Sequence, residues 1–179
     1  MTFDMQPNLN GDTIYLRGLR AGDRDALFQA ASAPETWADH PATDRYKREV
    51  FDPYFDRLLS SGGALAVIDT TKDRVIGCSR YYVSDDAPID ISIGYTFLDH
   101  AYWGGKTNAI LKRLMLEHAF ASFDRVWFHI APTNIRSQKA TAKFGTLYRG
   151  DQDLWLGDEI ACWQCHSLDR ADWDKYLRQ

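Results

Sequence analysis

Residues 89–120 read IDISIGYTFLDHAYWGGKTNAILKRLMLEHAF, and their pattern decides the fold. Ile89, Ile91, Ile93 and Tyr95 alternate with Asp90, Ser92 and Gly94, the period of two expected of a strand with one apolar face. Ile110, Leu111, Leu114, Met115 and His118 then recur at helical spacing, which predicts a helix with one apolar stripe. Between the two, Gly104 and Gly105 let the main chain approach a ligand closely. The helix that follows opens with unpaired N–H groups and a positive dipole end, so strand, turn and helix together make a phosphate site. Chain reversal alone also accounts for such a turn, so the turn by itself does not fix a ligand.

Working outward, Thr13–Leu19 reads as a first strand, Arg24–Ala33 as a short helix ended by Pro34, and Asp44–Leu59 as a longer helix bent or broken at Pro53. The loop between these helices holds Trp37, Asp39 and His40, an aromatic beside an acid that suits a protonated amine. Packing of Trp37 into the core is the other reading of that loop. Ala64–Asp69 and Arg74–Val83 form a hairpin, and Ile89–Phe97 extends the antiparallel run. Arg125–Ile130 alternates Val126, Phe128 and Ile130 against Trp127 and His129; the intervening helix makes it parallel to the preceding strand. Pro132–Asn134 caps a helix ending at Phe144 and Gly145. A second hairpin, Leu147–Leu156 and Glu159–Ser167 across Gly157-Asp158, precedes a tail helix at Ala171–Arg178. The order β-α-α-β-β-β-α-β-α-β-β-α is a mixed α/β sheet, expected as one domain over residues 1–179.

Composition bounds the function. The chain is 45% apolar and 26% charged, and its net charge of −4 argues against nucleic-acid binding while suiting a cationic acceptor such as an amine. No apolar run is long enough to cross a bilayer and the first residues do not read as a signal peptide, so no membrane partner and a cytoplasmic location are expected. Residues 162–166 spell CWQCH, the pattern of c-type haem attachment. On a strand, however, Cys162 and Cys165 point to opposite faces, and Cys78 supplies no second ligand pair for zinc. Neither haem nor metal is therefore expected.

The run YWGGKTN at 102–108, followed by NIRS at 134–137 and KFG at 143–145, resembles the GNAT acyl-CoA N-acyltransferases, most closely their ribosomal-protein N-acetyltransferase-like branch. The resemblance covers the chain from Thr13 to the C-terminus. It implies an acetyl-CoA-dependent N-acetyltransferase with a mostly antiparallel sheet, flanked by helices, whose two parallel central strands splay apart to receive pantetheine. It also implies a coenzyme cradle of Trp103, Gly104, Gly105, Lys106, Thr107 and Asn108, main-chain pairing at Thr96, Phe97 and Leu98, and further coenzyme contacts at Asn134 and Ser137. The family more often has glycine where Lys106 stands.

Amine acylation needs a neutral amine, a stabilised oxyanion and a proton for the leaving thiolate. Where many relatives carry a glutamate this chain has Ser92, with Asp90 two residues away on the same face as candidate base; His129 and Asp153 stand in reserve. Thr141 occupies the position of the usual tyrosine acid, and Ser137 is the candidate donor to sulfur. The acceptor is expected to be a primary amine, on a peptide N-terminus or a small molecule, near Trp37, Asp39 and His40. A non-catalytic coenzyme-binding module is the competing reading, with another nucleotide-phosphate binder third.

Overall fold

The computed structural model describes residues 2–157 and 159–177, so Asp158 in the expected turn and Arg178 at the expected helix end lie outside it. Eight strands form one sheet: β1 (Leu9–Asn10), β2 (Ile14–Gly18), β3 (Ala64–Asp69), β4 (Arg74–Tyr82), β5 (Ile91–Leu98), β6 (Arg125–Ile130), β7 (Leu147–Trp155) and β8 (Ile160–Asp169). Their spatial order is β1-β2-β3-β4-β5-β6-β8-β7, antiparallel throughout except between β5 and β6. The α-helices are α1 (Arg24–Ala31), α2 (Arg48–Ser60), α3 (Thr107–Phe120), α4 (Ile135–Ala142) and α5 (Arg170–Tyr176).

Two apolar layers sandwich the sheet. On one face Leu111, Met115, Leu116 and Phe120 of α3 and Trp173 of α5 pack on Ile91, Ile93, Val126 and Phe128. On the other, Leu27 of α1 and Phe51, Phe55 and Leu58 of α2 pack on Ala64, Ala66 and Ile68. Each fully buried large side chain contributes about 2 kcal/mol of transfer free energy.

Several boundaries differ from the sequence reading, each for a local reason. β5 begins at Ile91 rather than Ile89, because the Asp90 amide closes a turn onto the Ala87 carbonyl and leaves Ile89 86% exposed. Tyr95 does not share a face with Ile91 and Ile93: the register with β4 slips between Cys78 and Arg80, and Tyr95 takes φ +53. This bulge turns Tyr95 and Phe97 toward the α1–α2 layer and Leu98 toward α3. The buried stripe of α3 runs through Leu111, Lys112, Met115, Leu116, Ala119 and Phe120, one residue later than expected; Ile110, Leu114 and His118 sit half-buried at its edge. α2 starts at Arg48 behind an extended Lys47 and continues through Pro53 to Ser60.

The end of β2 is tied to the start of α1 by Arg17, whose two terminal nitrogens each donate to Asp23 at 2.7 Å, while the Arg20 amide donates to the same carboxylate at 2.8 Å. Burial pushes the Asp23 carboxyl up, but Arg17 and the Arg20 amide outweigh it and hold it below its ordinary value. A depressed folded value means that this contribution is complete above the unfolded value near ~4 and is lost as pH falls through the folded one. Asp23→Ala strands the nearly buried Arg17 charge and is expected to cost about 3 kcal/mol in urea unfolding at pH 7. The difference between wild type and variant should shrink as the pH drops below 4.

Candidate acyl-transfer cleft

β5 and β6 pair only at Ile91–Val126 and Ser92–Trp127 and then separate, while β5 stays bonded to β4 and β6 to β8. The gap is the core of a cleft of about 1120 Å³. At one mouth lie Trp103, Gly104, Gly105 and Asn108, and beside them Asn134, Ser137 and Thr141 of the α4 region. Among the described residues the amides from Gly104 through Ala109 donate to no protein acceptor, since Lys106 caps α3 without a side-chain bond and the first amide to return is that of Ile110. Gly104 has φ +74, which points successive amides toward the same space, and an added Cβ on Gly104 or Gly105 would meet nothing within 4 Å. A run of open donors at the positive end of a fourteen-residue helix is fitted to a diphosphate. Asn134 caps α4, its Oδ1 accepting from the Ser137 amide at 3.1 Å.

The sequence matches the acetyltransferase (GNAT) domain family over residues 13–146, about three quarters of the chain. The chain belongs to the GNAT acetyltransferase family. Its fold is that of solved relatives: a GCN5-related N-acetyltransferase from Brucella melitensis matches with a TM-score of 0.80 at 21% identity, covering 97% of this chain and 83% of that one. RimJ from Mycobacterium smegmatis, solved in complex with CoA-disulfide, matches with a TM-score of 0.66 at 16% identity over 93% of this chain and 88% of that one. Ribosomal-protein-S5-alanine acetyltransferase from Vibrio fischeri matches at 0.66 and 15% identity over 93% and 98% of the two chains. A search of curated proteins finds no match. Family membership makes acetyl-CoA the acyl donor and the protein an N-acetyltransferase. Among the described residues no helix is long and apolar enough to cross a membrane.

Within this GNAT cleft the expected residues fare differently. Thr96, Phe97, Leu98, Trp103, Gly104, Gly105, Asn108, Asn134 and Ser137 line it, whereas Lys106 and Thr107 do not. Asp90 and Ser92 do not line it either. With β5 starting at Ile91, Asp90 stays in the preceding turn, where its carboxylate accepts from Trp127 Nε1 at 2.9 Å, and Ser92 is 1% exposed in the paired part of the strand. Asp153 is exposed on β7, away from the lining. Cys162 is exposed and Cys165 buried, on opposite faces of β8 as their spacing requires.

His129 does reach the cleft wall, together with a partner that the sequence did not suggest. Its Nδ1 lies 2.8 Å from the Tyr82 hydroxyl and its Nε2 3.2 Å from Asp86 Oδ2. Burial lowers the His129 pKa against the pull of Asp86, so the ring is neutral at pH 7. Nε2–H then donates to Asp86 and Nδ1 accepts from Tyr82, a tautomer inferred from those partners. Gly94 makes room for this: a Cβ there would sit 2.9 Å from Tyr82 Cε1. Asp86, His129 and Cys165 also bring one potential metal-ligating atom each within 4.8 Å of one another, and their mutual hydrogen bonds account for that closeness.

Trp37, Asp39 and His40 also line the cleft, but Trp37 is not open to an ammonium. It is 1% exposed, donates from Nε1 to the Ala31 carbonyl, and already carries the Arg45 guanidinium 5.4 Å from its ring centroid. The lining is basic, with Arg45, Arg57, Arg80, Lys112, Arg136, Lys139 and Lys143 against Asp39 and Glu159 among the described residues. The charge of −4 thus says nothing about the pocket. Arg136 stacks 3.7 Å from the Trp103 ring and donates to the Thr36 carbonyl, closing the rim between the two mouths.

Lys112 is a second functional group that the apolar pattern of the sequence does not mark. Only 8% exposed, it crosses the floor of the gap, its Nζ donating to Thr96 Oγ1 at 2.8 Å and lying 5.5 Å from the Phe128 ring. Burial pushes its pKa down to about 7. The unfolded chain therefore binds the extra proton between pH 7 and the ordinary lysine value near ~10, and stability rises with pH across that window. In urea unfolding, Lys112→Met is expected to remove this rise, so that wild type gains on the variant between pH 7 and pH 9.5. A constant difference would contradict the burial of a lysine that gives up its proton.

Proposed function

We propose that the cleft transfers acetyl from acetyl-CoA directly to a primary amine, on a peptide N-terminus or a small molecule, within one ternary complex. The observation that carries this reading is the Tyr82–His129–Asp86 chain on the acceptor side of an unpaired strand edge whose other mouth holds the open amides of Gly104–Ala109. Gly104, Gly105 and Asn108 would hold the diphosphate, with Lys106 and Thr107 offering their main-chain amides and Trp103 the rim. The free edge at Thr96, Phe97 and Leu98 would pair with the pantetheine amides as an added strand does.

Such placement converts a two-body reaction into one between aligned neighbours. An entering ammonium meets a basic lining, which disfavours its charge, and gives its proton to Tyr82 Oη as the tyrosine proton moves to His129 Nδ1. Asp86 steadies the imidazolium so formed. The neutral nitrogen attacks the thioester carbon, and main-chain amides at the bulge, where Tyr95 takes φ +53, would stabilise the oxyanion. As the tetrahedral intermediate collapses the C–S bond breaks and the second proton on the new nitrogen passes to the departing sulfur, which Ser137 holds by a hydrogen bond, leaving the neutral amide and free coenzyme thiol.

Acceptor-dependent release of free thiol from acetyl-CoA over a broad panel of amines tests the proposal. Tyr82→Phe should lower kcat by about 100-fold or more with coenzyme binding kept. Asp86→Asn should lower kcat and move the acid limb of its pH profile to lower pH, because the His129 pKa loses the group that raises it. Asp90→Asn should stay near wild type. Saturable coenzyme binding with no thiol release for any amine would favour the non-catalytic module instead.

A further inference from the structure

Two arginines on the acceptor face lack the counter-ion that their burial calls for. The Arg45 guanidinium lies 3.9 Å from the Tyr54 ring centroid and 5.4 Å from that of Trp37. Arg80 lies 4.7 Å from the Tyr95 centroid and 5.7 Å from that of Tyr82, and its Nε is buried without a hydrogen-bond partner. Both side chains are half-buried, and among the described residues neither forms an ion pair. Stacking on an aromatic face uses the flat side of a guanidinium and leaves its N–H fork directed outward in the plane.

His40 does not fill the vacancy beside Arg45. Its Nδ1 accepts the Ala42 amide at 2.9 Å, and burial, with the charges of Arg45 and Arg136, pushes its pKa down to about 3. A neutral ring whose Nδ1 is an acceptor carries its proton on Nε2. The 3.2 Å approach of Arg45 Nη1 to that Nε2 therefore sets donor against donor. A negatively charged acceptor lying beside both nitrogens answers Arg45 and the His40 Nε2–H, and Arg80 lines the same cleft and shares with Arg45 its electrostatic reach to Tyr54 and Tyr95.

We infer that the acceptor amine carries an acid group, a carboxylate or a phosphate, which seats between Arg45, His40 and Arg80 while the amine faces Tyr82. This rests on the acyl-transfer reading above. Uncharged and polycationic amines leave the two guanidiniums unanswered. The acid group also fixes the orientation of the nucleophile, since stacked guanidiniums on packed rings are rigid anchors.

Matched pairs of amines test it by thiol release: an amino acid with its carboxamide, an aminoalkyl phosphate with its amino alcohol, and a polyamine as the cationic arm. The acid member should win by about tenfold or more in kcat/KM, mainly through KM. Which pair shows the larger ratio separates carboxylate from phosphate. Arg45→Gln and Arg80→Gln should each collapse the ratio toward one, and Arg45→Glu should turn preference toward the polyamine, in variants that still bind coenzyme A. Preference for neutral or cationic members in wild type, or a ratio that survives both Gln variants, would overturn the inference. Should no amine release thiol, calorimetry decides the anion site alone. Acids of the same skeletons lacking the amine are titrated into enzyme saturated with coenzyme A: Arg80-dependent binding upholds the site, and no heat removes it.

Discussion

The structure depends on two parallel strands that begin as partners and then let go. β5 and β6 share a register for two residues and then part, so that among the described residues Gly94–Phe97 have no strand neighbour on that side, while the Leu98 carbonyl accepts from Trp103 Nε1. Buried peptide groups seldom go without partners, so an open edge in the middle of a sheet is a place for a ligand that brings amides of its own. The bulge at Tyr95 turns β5 away from β6 while keeping it bonded to β4, and the positive φ stores strain where the reacting carbonyl would sit. Beneath the opening, α3 presses its buried stripe on both strands and Lys112 spans from Thr96 to Phe128. Packing on one face and a bulge in the strand thus hold the gap open before any ligand arrives.

Charge is distributed with the same division. Acidic side chains are spent largely on the outside and at element ends, as with Asp52, Asp56, Asp99 and Asp169 paired to arginines, while the cleft of this acidic protein is lined by basic groups. In the proposed reaction a basic lining suits both ends: it would meet the phosphates of the coenzyme, and it disfavours the protonated form of an amine that must be neutral to attack. In the proposed reaction, neutral His129 and the Tyr82 hydroxyl, 2.8 Å apart, take that proton.

Much of the scaffold was legible from local pattern. Arg125–Ile130 and Ala64–Asp69 are strands at their expected bounds, because alternation and flanking turns are both local, and the glycine turn with its open helix start is where residues 102–108 put it. What escaped reading depended on partners distant in sequence. The Tyr95 bulge is a slip against β4 that strict alternation cannot reveal, and Asp90 looked like a base only while β5 was drawn two residues too long. Tyr82, Asp86 and His129 come from separate segments brought together by sheet order. Lys112 had a readable signal, a lysine in phase with Leu111, Met115 and Leu116, which a stripe drawn one residue early concealed. Arg45 and Arg80 look like surface charges until the rings beneath them are seen.

A crystal structure of the protein with coenzyme A tests the central claim most directly. The diphosphate is expected on the amides of Gly104–Ala109 and the thiol between Thr96 and Ile130, with β5 and β6 parted as they are here. Coenzyme bound elsewhere on the protein, with the gap between those strands left empty, would contradict it.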